Sequence, residues 1–236
     1  LDYPLILCRI PAVGSEPVET WHSEAFVADW SGDDVLADLL TLPRQISAAL
    51  VADAGPPPRH VVDVGSGPGG YLGVLLRAFP QARGTWTDTS GPMEELGRDG
   101  LAEFGDRVAY VLGDAEELGS IPIERADVVV TSRMLHHFVP ESLQRFYRDA
   151  FALLEPGGFL FNLDHFGSPP DWEPRYRRIR GQFTGKRKEE LAHHRHEDTM
   201  LPLRQNLDWV EAAGFEPPDV PWRTFFTALI AARKPA

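Results

Sequence analysis

The stretch Val61-Val62-Asp63-Val64-Gly65-Ser66-Gly67-Pro68-Gly69-Gly70 constrains this 236-residue chain more than any other part of it. Its apolar run reads as a buried strand, its spaced glycines as a turn, and Gly70 as the start of a helix. Glycine allows positive φ and a close approach of ligand to backbone, and the helix N-terminus that follows offers unpaired N–H groups. Downstream the alternation continues. Strands are expected over 60–64, 83–88, 107–112, 127–131 and 159–163. Helices are expected over 70–78, from Met93 and Leu96 to about Phe104, and over 141–154, the last ended by Pro156-Gly157-Gly158. Apolar strands separated by helices form a parallel sheet covered on both faces.

The end of the chain breaks that rhythm. A helix over 207–213 closes at Gly214, and two strands, 215–220 and 224–232, follow with only Pro221-Trp222-Arg223 between them. That connection is too short for a crossover, so the last strand should run antiparallel. The expected fold class is therefore α/β: a doubly wound, mostly parallel seven-stranded sheet, Rossmann-like, with an antiparallel last strand. Residues 1–58 read as an N-terminal helical cap. There Val35, Leu36, Leu39, Leu40, Ile46, Ala49 and Leu50 keep helical spacing around Pro43, and Pro56-Pro57-Pro58 forces an extended break. Residues 59–236 form the main domain, with 166–200 as a lid insertion.

Composition narrows the partners. A net charge of −12 disfavours nucleic acid, because polyphosphate is repelled over most of the surface. Cys8 is the lone cysteine, which removes a disulfide framework and a thiolate zinc site. No apolar run reaches the roughly 18 residues of a membrane helix, and Leu1 to Ile10 lacks signal-peptide architecture, so a cytoplasmic location without a membrane partner is expected. The charge is uneven, however. Arg175, Arg177, Arg178, Arg180, Lys186, Arg187 and Lys188 fall in one stretch without an acid among them.

The glycines alone leave two ligands open, because Gly65, Gly67 and Gly70 also satisfy the G-x-G-x-x-G spacing of nicotinamide oxidoreductases. Asp63 tilts the balance. An acid at the strand end suits a cationic ligand group such as an amino-acid ammonium and repels a pyrophosphate. With these residues the chain resembles the class I S-adenosylmethionine-dependent methyltransferases, from about His60 to the C-terminus. The resemblance matches Asp63, Gly65, Ser66, Gly67 and Gly69 to the family's glycine loop. It matches Asp88 to the acid that accepts the ribose hydroxyls, and Asp114 to the acid that accepts from the adenine amino group. Thr89, Ala115 and Arg133 flank these positions and complete the expected cofactor site. The implied cofactor is S-adenosyl-L-methionine, with S-adenosyl-L-homocysteine as product.

Transfer residues should lie where the parallel strands end. Two places qualify, Ser132 to Phe138 after the fourth strand and Asp164-His165-Phe166 after the fifth. Leu135-His136-His137-Phe138 is similar to the Leu-His-Asp-Trp run of one O-methyltransferase subfamily, in which the first histidine is the general base. His136 is the leading base on that likeness, with His137 and His165 as further candidates. Imidazole, whose ordinary pKa is about 6.5, takes a proton readily near neutral pH. A base-free transfer to nitrogen or carbon stays open, because His137 stands where that subfamily carries Asp.

The acceptor should be a small molecule, and the basic stretch leaves room for an anionic one. Trp21 and Trp30 of the cap, and Tyr176, Arg177 and His194 of the lid, are its expected contacts. His193-His194-Arg195-His196-Glu197-Asp198 invites a metal, but Arg195 in its midst opposes a cation and no H-E-x-x-H arrangement is present, so no metal is expected. Oligomeric state is not legible.

Overall fold

A computed structural model describes residues 22–24, 27, 34–184 and 200–236. Trp21, Trp30, His194 and the 193–198 cluster lie outside the described residues. The first long helix, α1 (Asp34–Asp53), runs through Pro43 without ending there. The sheet strands follow: β1 (His60–Val64), β2 (Arg83–Asp88), β3 (Val108–Leu112), β4 (Ala126–Ser132), β5 (Leu154–His165), β6 (Asp219–Thr224) and β7 (Thr227–Arg233). Between them lie α2 (Gly70–Ala78), α3 (Gly91–Gly100), α4 (Pro140–Leu153), α5 (Glu173–Thr184) and α6 (Leu203–Ala212).

The seven strands lie in the order β3-β2-β1-β4-β5-β7-β6. Strands β1 to β5 pair in parallel, and β7 pairs antiparallel with both β5 and β6. The doubly wound sheet with an antiparallel last strand is thus the architecture that the sequence called for. All five parallel strands end at one edge, which gathers Val64, Asp88, Leu112, Ser132 and His165.

Alternation along β1 sorts its side chains. Val61 packs into the layer formed with α1, α2 and α3, whereas Val62 and Val64 pack into the layer formed with α4 and α6. Asp63 follows Val61 by two positions and so faces α2, where its Oδ2 accepts from Leu72 N at 3.1 Å. The α4 stripe of Leu143, Phe146, Tyr147 and Ala150 is buried against the other face, as its helical spacing requires.

Several boundaries differ from expectation: β5 already begins at Leu154, so Pro156-Gly157-Gly158 lies inside it, and β6 covers 219–224 in place of 215–220. The helix after β2 stops at Gly100, and Ala102–Arg107 continues as a 3₁₀ segment kinked at Gly105, whose φ is +52°. The last helix begins earlier, at Leu203. The terminal hairpin turns at Phe225-Phe226, not at Pro221-Trp222-Arg223, because Phe225 takes the positive φ of +56° that the tight turn needs. Pro221 is tolerated inside β6 because that strand is the sheet edge and shifts register between Asp219 and Trp222.

Candidate cofactor and transfer site

The glycine loop is built from both sides. Gly65 has φ +66°, and a Cβ placed on it would stand 2.7 Å from Cγ of Met134, so the loop can seat on the segment after β4 only with glycine there. Gly67 has φ +52° and little beside it, Met93 Sδ being the one atom within 4 Å of an added Cβ, at 3.7 Å. Its carbonyl accepts from Trp86 Nε1 at 2.7 Å, and its N–H donates to Asp88 Oδ2 at 3.0 Å. The fully buried Trp86 is a brace that the sequence reading missed, since a core tryptophan in a strand gives no sign of where its N–H points.

Asp63 is buried, and Oδ2 accepts from Ser66 Oγ at 2.8 Å as well as from Leu72 N. Burial pushes its pKa up to about 7, against the two hydrogen bonds and the Arg44 guanidinium, which pull it down; nearby Asp88 adds to the rise. Asp63 Oδ1 and Ser132 Oγ are buried with no hydrogen-bond partner among the described residues. Both lie at the strand ends on the sheet face that packs on α2, where a polar ligand would satisfy them, whereas Thr87 and Thr131 align with Val64 on the opposite face. The strand-end acid and its neighbouring acceptor fit a cofactor that carries an ammonium.

The two other expected acids differ in character. Asp88 sits at the end of β2 and spends Oδ1 on Ser90 N at 3.1 Å and Oδ2 on Gly67 N, leaving further lone pairs on each oxygen for ribose hydroxyls. Burial raises its pKa, opposed by those backbone bonds. Thr89 is half-buried beside it. Asp114 is exposed and caps the 3₁₀ segment Ala115–Ser120, accepting from Glu116 N at 2.9 Å; Ala115 is buried.

The histidine candidates converge. The His136 ring lies 4.0 Å from that of His137 and 5.2 Å from that of His165, between centroids. His136 Nδ1 pairs with Asp164 Oδ1 at 2.6 Å, with side-chain exposures of 1% and 0%. A carboxylate accepts, so with Asp164 ionised Nδ1 is the donor of this bond. Asp164 also accepts from His136 N at 3.1 Å and His165 N at 2.7 Å, which locks both histidines to the end of β5. His165 Nδ1 meets Thr227 Oγ1 at 2.9 Å, at the start of β7. Asp164 was within reach of the sequence reading, which singled out Asp164-His165-Phe166, yet only its pairing with His136 gives it a role.

Of the lid residues, Arg177 turns outward and pairs with Glu173 at 2.7 Å one helical turn back. Tyr176 packs on Trp172 and Phe225, at 5.7 and 5.6 Å between ring centroids. Among the described residues no group of three or more His, Cys, Asp or Glu side chains is placed to hold a metal ion. No helix among them is long and apolar enough to cross a membrane.

Residues 61–158 match the family described as a methyltransferase domain. The chain carries a class I S-adenosylmethionine-dependent methyltransferase domain. Over 163 residues it is 34% identical to aclacinomycin 10-hydroxylase of Streptomyces purpurascens, covering 66% of this chain and 42% of that one. It is 35% identical over 137 residues to trans-aconitate 2-methyltransferase of Rhodopseudomonas palustris, covering 57% and 49%. The chain thus spans about half the length of these curated relatives. An O-methyltransferase family protein from Burkholderia thailandensis shares the fold of the methyltransferase domain, with a TM-score of 0.63 at 20% identity, over 92% of this chain and 64% of that one.

Proposed function

We propose that this protein transfers a methyl group from S-adenosylmethionine to an oxygen of a small molecule, with His136 as general base and Asp164 as its positioning residue. The observation that carries the reading is the buried Asp164–His136 pair at 2.6 Å, set on the same sheet edge as the glycine loop. Asp63, the Gly65–Gly69 loop, Asp88 and Asp114 would hold the cofactor. When bound, it supplies a methyl group already activated by sulfonium charge. The chain's own residues supply placement and a proton acceptor. As the acceptor oxygen takes the methyl group, its proton passes to His136 Nε2, and Asp164 stabilises the resulting imidazolium. His137 and His165 pack against the base and limit its rotation. The cap over 1–58, the lid over 166–200 and a cytoplasmic location belong to the same proposal.

The test joins binding to turnover. Calorimetry with S-adenosylhomocysteine should show binding, and incubation of methyl-labelled S-adenosylmethionine with a panel of small hydroxy and carboxy acids should release product. In the active pair, His136→Ala should lower kcat by about 10² to 10⁴-fold, the span of general-base contributions, with cofactor affinity within a few-fold. Unchanged turnover would remove His136 from the chemistry. A second reading, cofactor retained in a reaction other than methyl transfer, is favoured by the relative named as a hydroxylase. It would show as tight S-adenosylhomocysteine binding with no label transferred to any acceptor.

A further inference from the structure

A buried acceptor without a donor stands two positions from Asp164. Asn162 is fully buried on β5, and its Oδ1 has no hydrogen-bond partner among the described residues. A buried amide oxygen left in that state costs free energy, and native structures give it a partner in protein or in ordered water.

Turning the amide over does not relieve it. Asn206 Nδ2 meets Pro202 O at 3.1 Å, and a backbone carbonyl can only accept, so Asn206 Oδ1 is the atom that faces Tyr147. The Tyr147 hydroxyl therefore spends its hydrogen on Asn206 Oδ1, at 2.8 Å. What remains on that hydroxyl is a lone pair, which takes Asn162 Nδ2 at 3.1 Å. The bonds thus fix Asn162 from Pro202 onwards, and its Oδ1 is the end left over.

Beside it lies a cavity. Asn162, Asn206, His136, Asp164 and His165 supply its polar wall, and apolar side chains, Leu201 among them, supply the rest. The space open to the centre of a water is about 10 Å³, room for one molecule. Asp164 offers that molecule a second contact. A carboxylate has about four acceptor positions. His136 Nδ1 and His165 N occupy Oδ1, and His136 N occupies one position on Oδ2, which leaves another there. Residues two apart on a strand share a face and stand about 6–7 Å from each other, a gap that one bridging water spans.

We infer that this cavity binds a single water, which donates one hydrogen to Asn162 Oδ1 and the other to Asp164 Oδ2. Asn162 is then a positioning residue: it holds on the carboxylate a donor that shares the charge facing His136. Donors to one carboxylate compete, so the water tempers the Asp164–His136 bond. The inference deepens the methyl-transfer reading and rests on it for what the pair does, while the water belongs to the cavity whatever the reaction.

A crystal structure of the full chain, at a resolution that shows ordered water, should have one peak within about 3.2 Å of both oxygens. Asn162→Leu is close to asparagine in size but has no acceptor, and Leu201→Phe fills the cavity from its apolar wall. Each should lose the peak. In both, the His136 Nδ1–H resonance in the proton NMR spectrum should move downfield, because Asp164, relieved of a donor, accepts more strongly from His136. The inference falls if the parent protein shows no peak, a result that needs no variant to fold, or if Asn162→Leu keeps it. It falls also if the resonance stays in place or moves upfield once the peak is lost, since Asn162 would then serve packing alone. Neither measurement involves the cofactor, so calorimetry with S-adenosylhomocysteine judges the methyl-transfer reading separately.

Discussion

A carboxyl group buried at the end of β1 makes Asp63 a reporter of what enters the glycine loop. Its pKa of about 7 in the folded chain stands above the ordinary 3.8, so between those values the folded state holds the extra proton. The stability it contributes is complete below about pH 4 and is lost as the pH rises through about 7. A ligand ammonium placed at Oδ1 would favour the ionised form and drive the proton off. Binding of S-adenosylhomocysteine at pH 6.5 should therefore release protons, seen as a binding enthalpy that varies with the ionisation enthalpy of the buffer. Asp63→Asn should bind more weakly, with no such release. A buffer-independent enthalpy in the parent protein would take the ammonium away from Asp63. The neighbouring loop gives a second residue-scale prediction. Gly65→Ala, with a 2.7 Å clash on Met134 and φ +66°, should cost about 1–3 kcal/mol and weaken cofactor binding at least tenfold.

Between elements, the tie that holds the transfer edge is a polar one. Tyr147 on α4 donates to Asn206 Oδ1 on α6 at 2.8 Å and accepts from Asn162 Nδ2 on β5 at 3.1 Å, all three buried. Asn162, Asn206, His136, Asp164 and His165 line one small cavity, so the same network stands behind the histidine cluster. Tyr147→Phe should strand both amides at a cost of about 1–3 kcal/mol. At about 2–4 °C per kcal/mol for a chain of this size, that lowers Tm by several degrees, with S-adenosylhomocysteine affinity unchanged. None of this was legible in the sequence, where Tyr147 counts only as a member of an apolar helical stripe. Periodicity registers which face is buried but not what a hydroxyl on that face bonds to. The strands were legible for the converse reason: β1 is buried throughout and β4 carries the apolar run Val128-Val129-Val130 because both faces are covered, and the spaced glycines between β1 and α2 mark the turn. The hairpin turn was missed because its signal is the backbone of Phe225, a residue type that rarely adopts positive φ. In the candidate site, the glycines and acids could be read off as a local motif. The part of Asp164 could not, since it comes from a pairing with His136, 28 positions away in sequence.

Across the whole molecule, charge sets which ligands approach. A chain of net −12 repels a polyanion over most of its surface, which disfavours polymers that lie across it. Charge also separates the two cofactors that the glycine spacing left open. Buried Asp63, whose Oδ1 has no hydrogen-bond partner among the described residues, suits an ammonium, whereas a pyrophosphate would meet its carboxyl. Ligand binding to the native state alone raises stability by about 2.7 kcal/mol at a hundred times Kd. For a domain of this size that corresponds to a rise in Tm of about 5–11 °C. S-adenosylhomocysteine at saturating concentration should give such a rise, and NAD at the same concentration should give none. A shift with NAD and not with S-adenosylhomocysteine would mean that the strand-end acid does not select the ligand, and that the glycine loop alone had been a misleading guide to it.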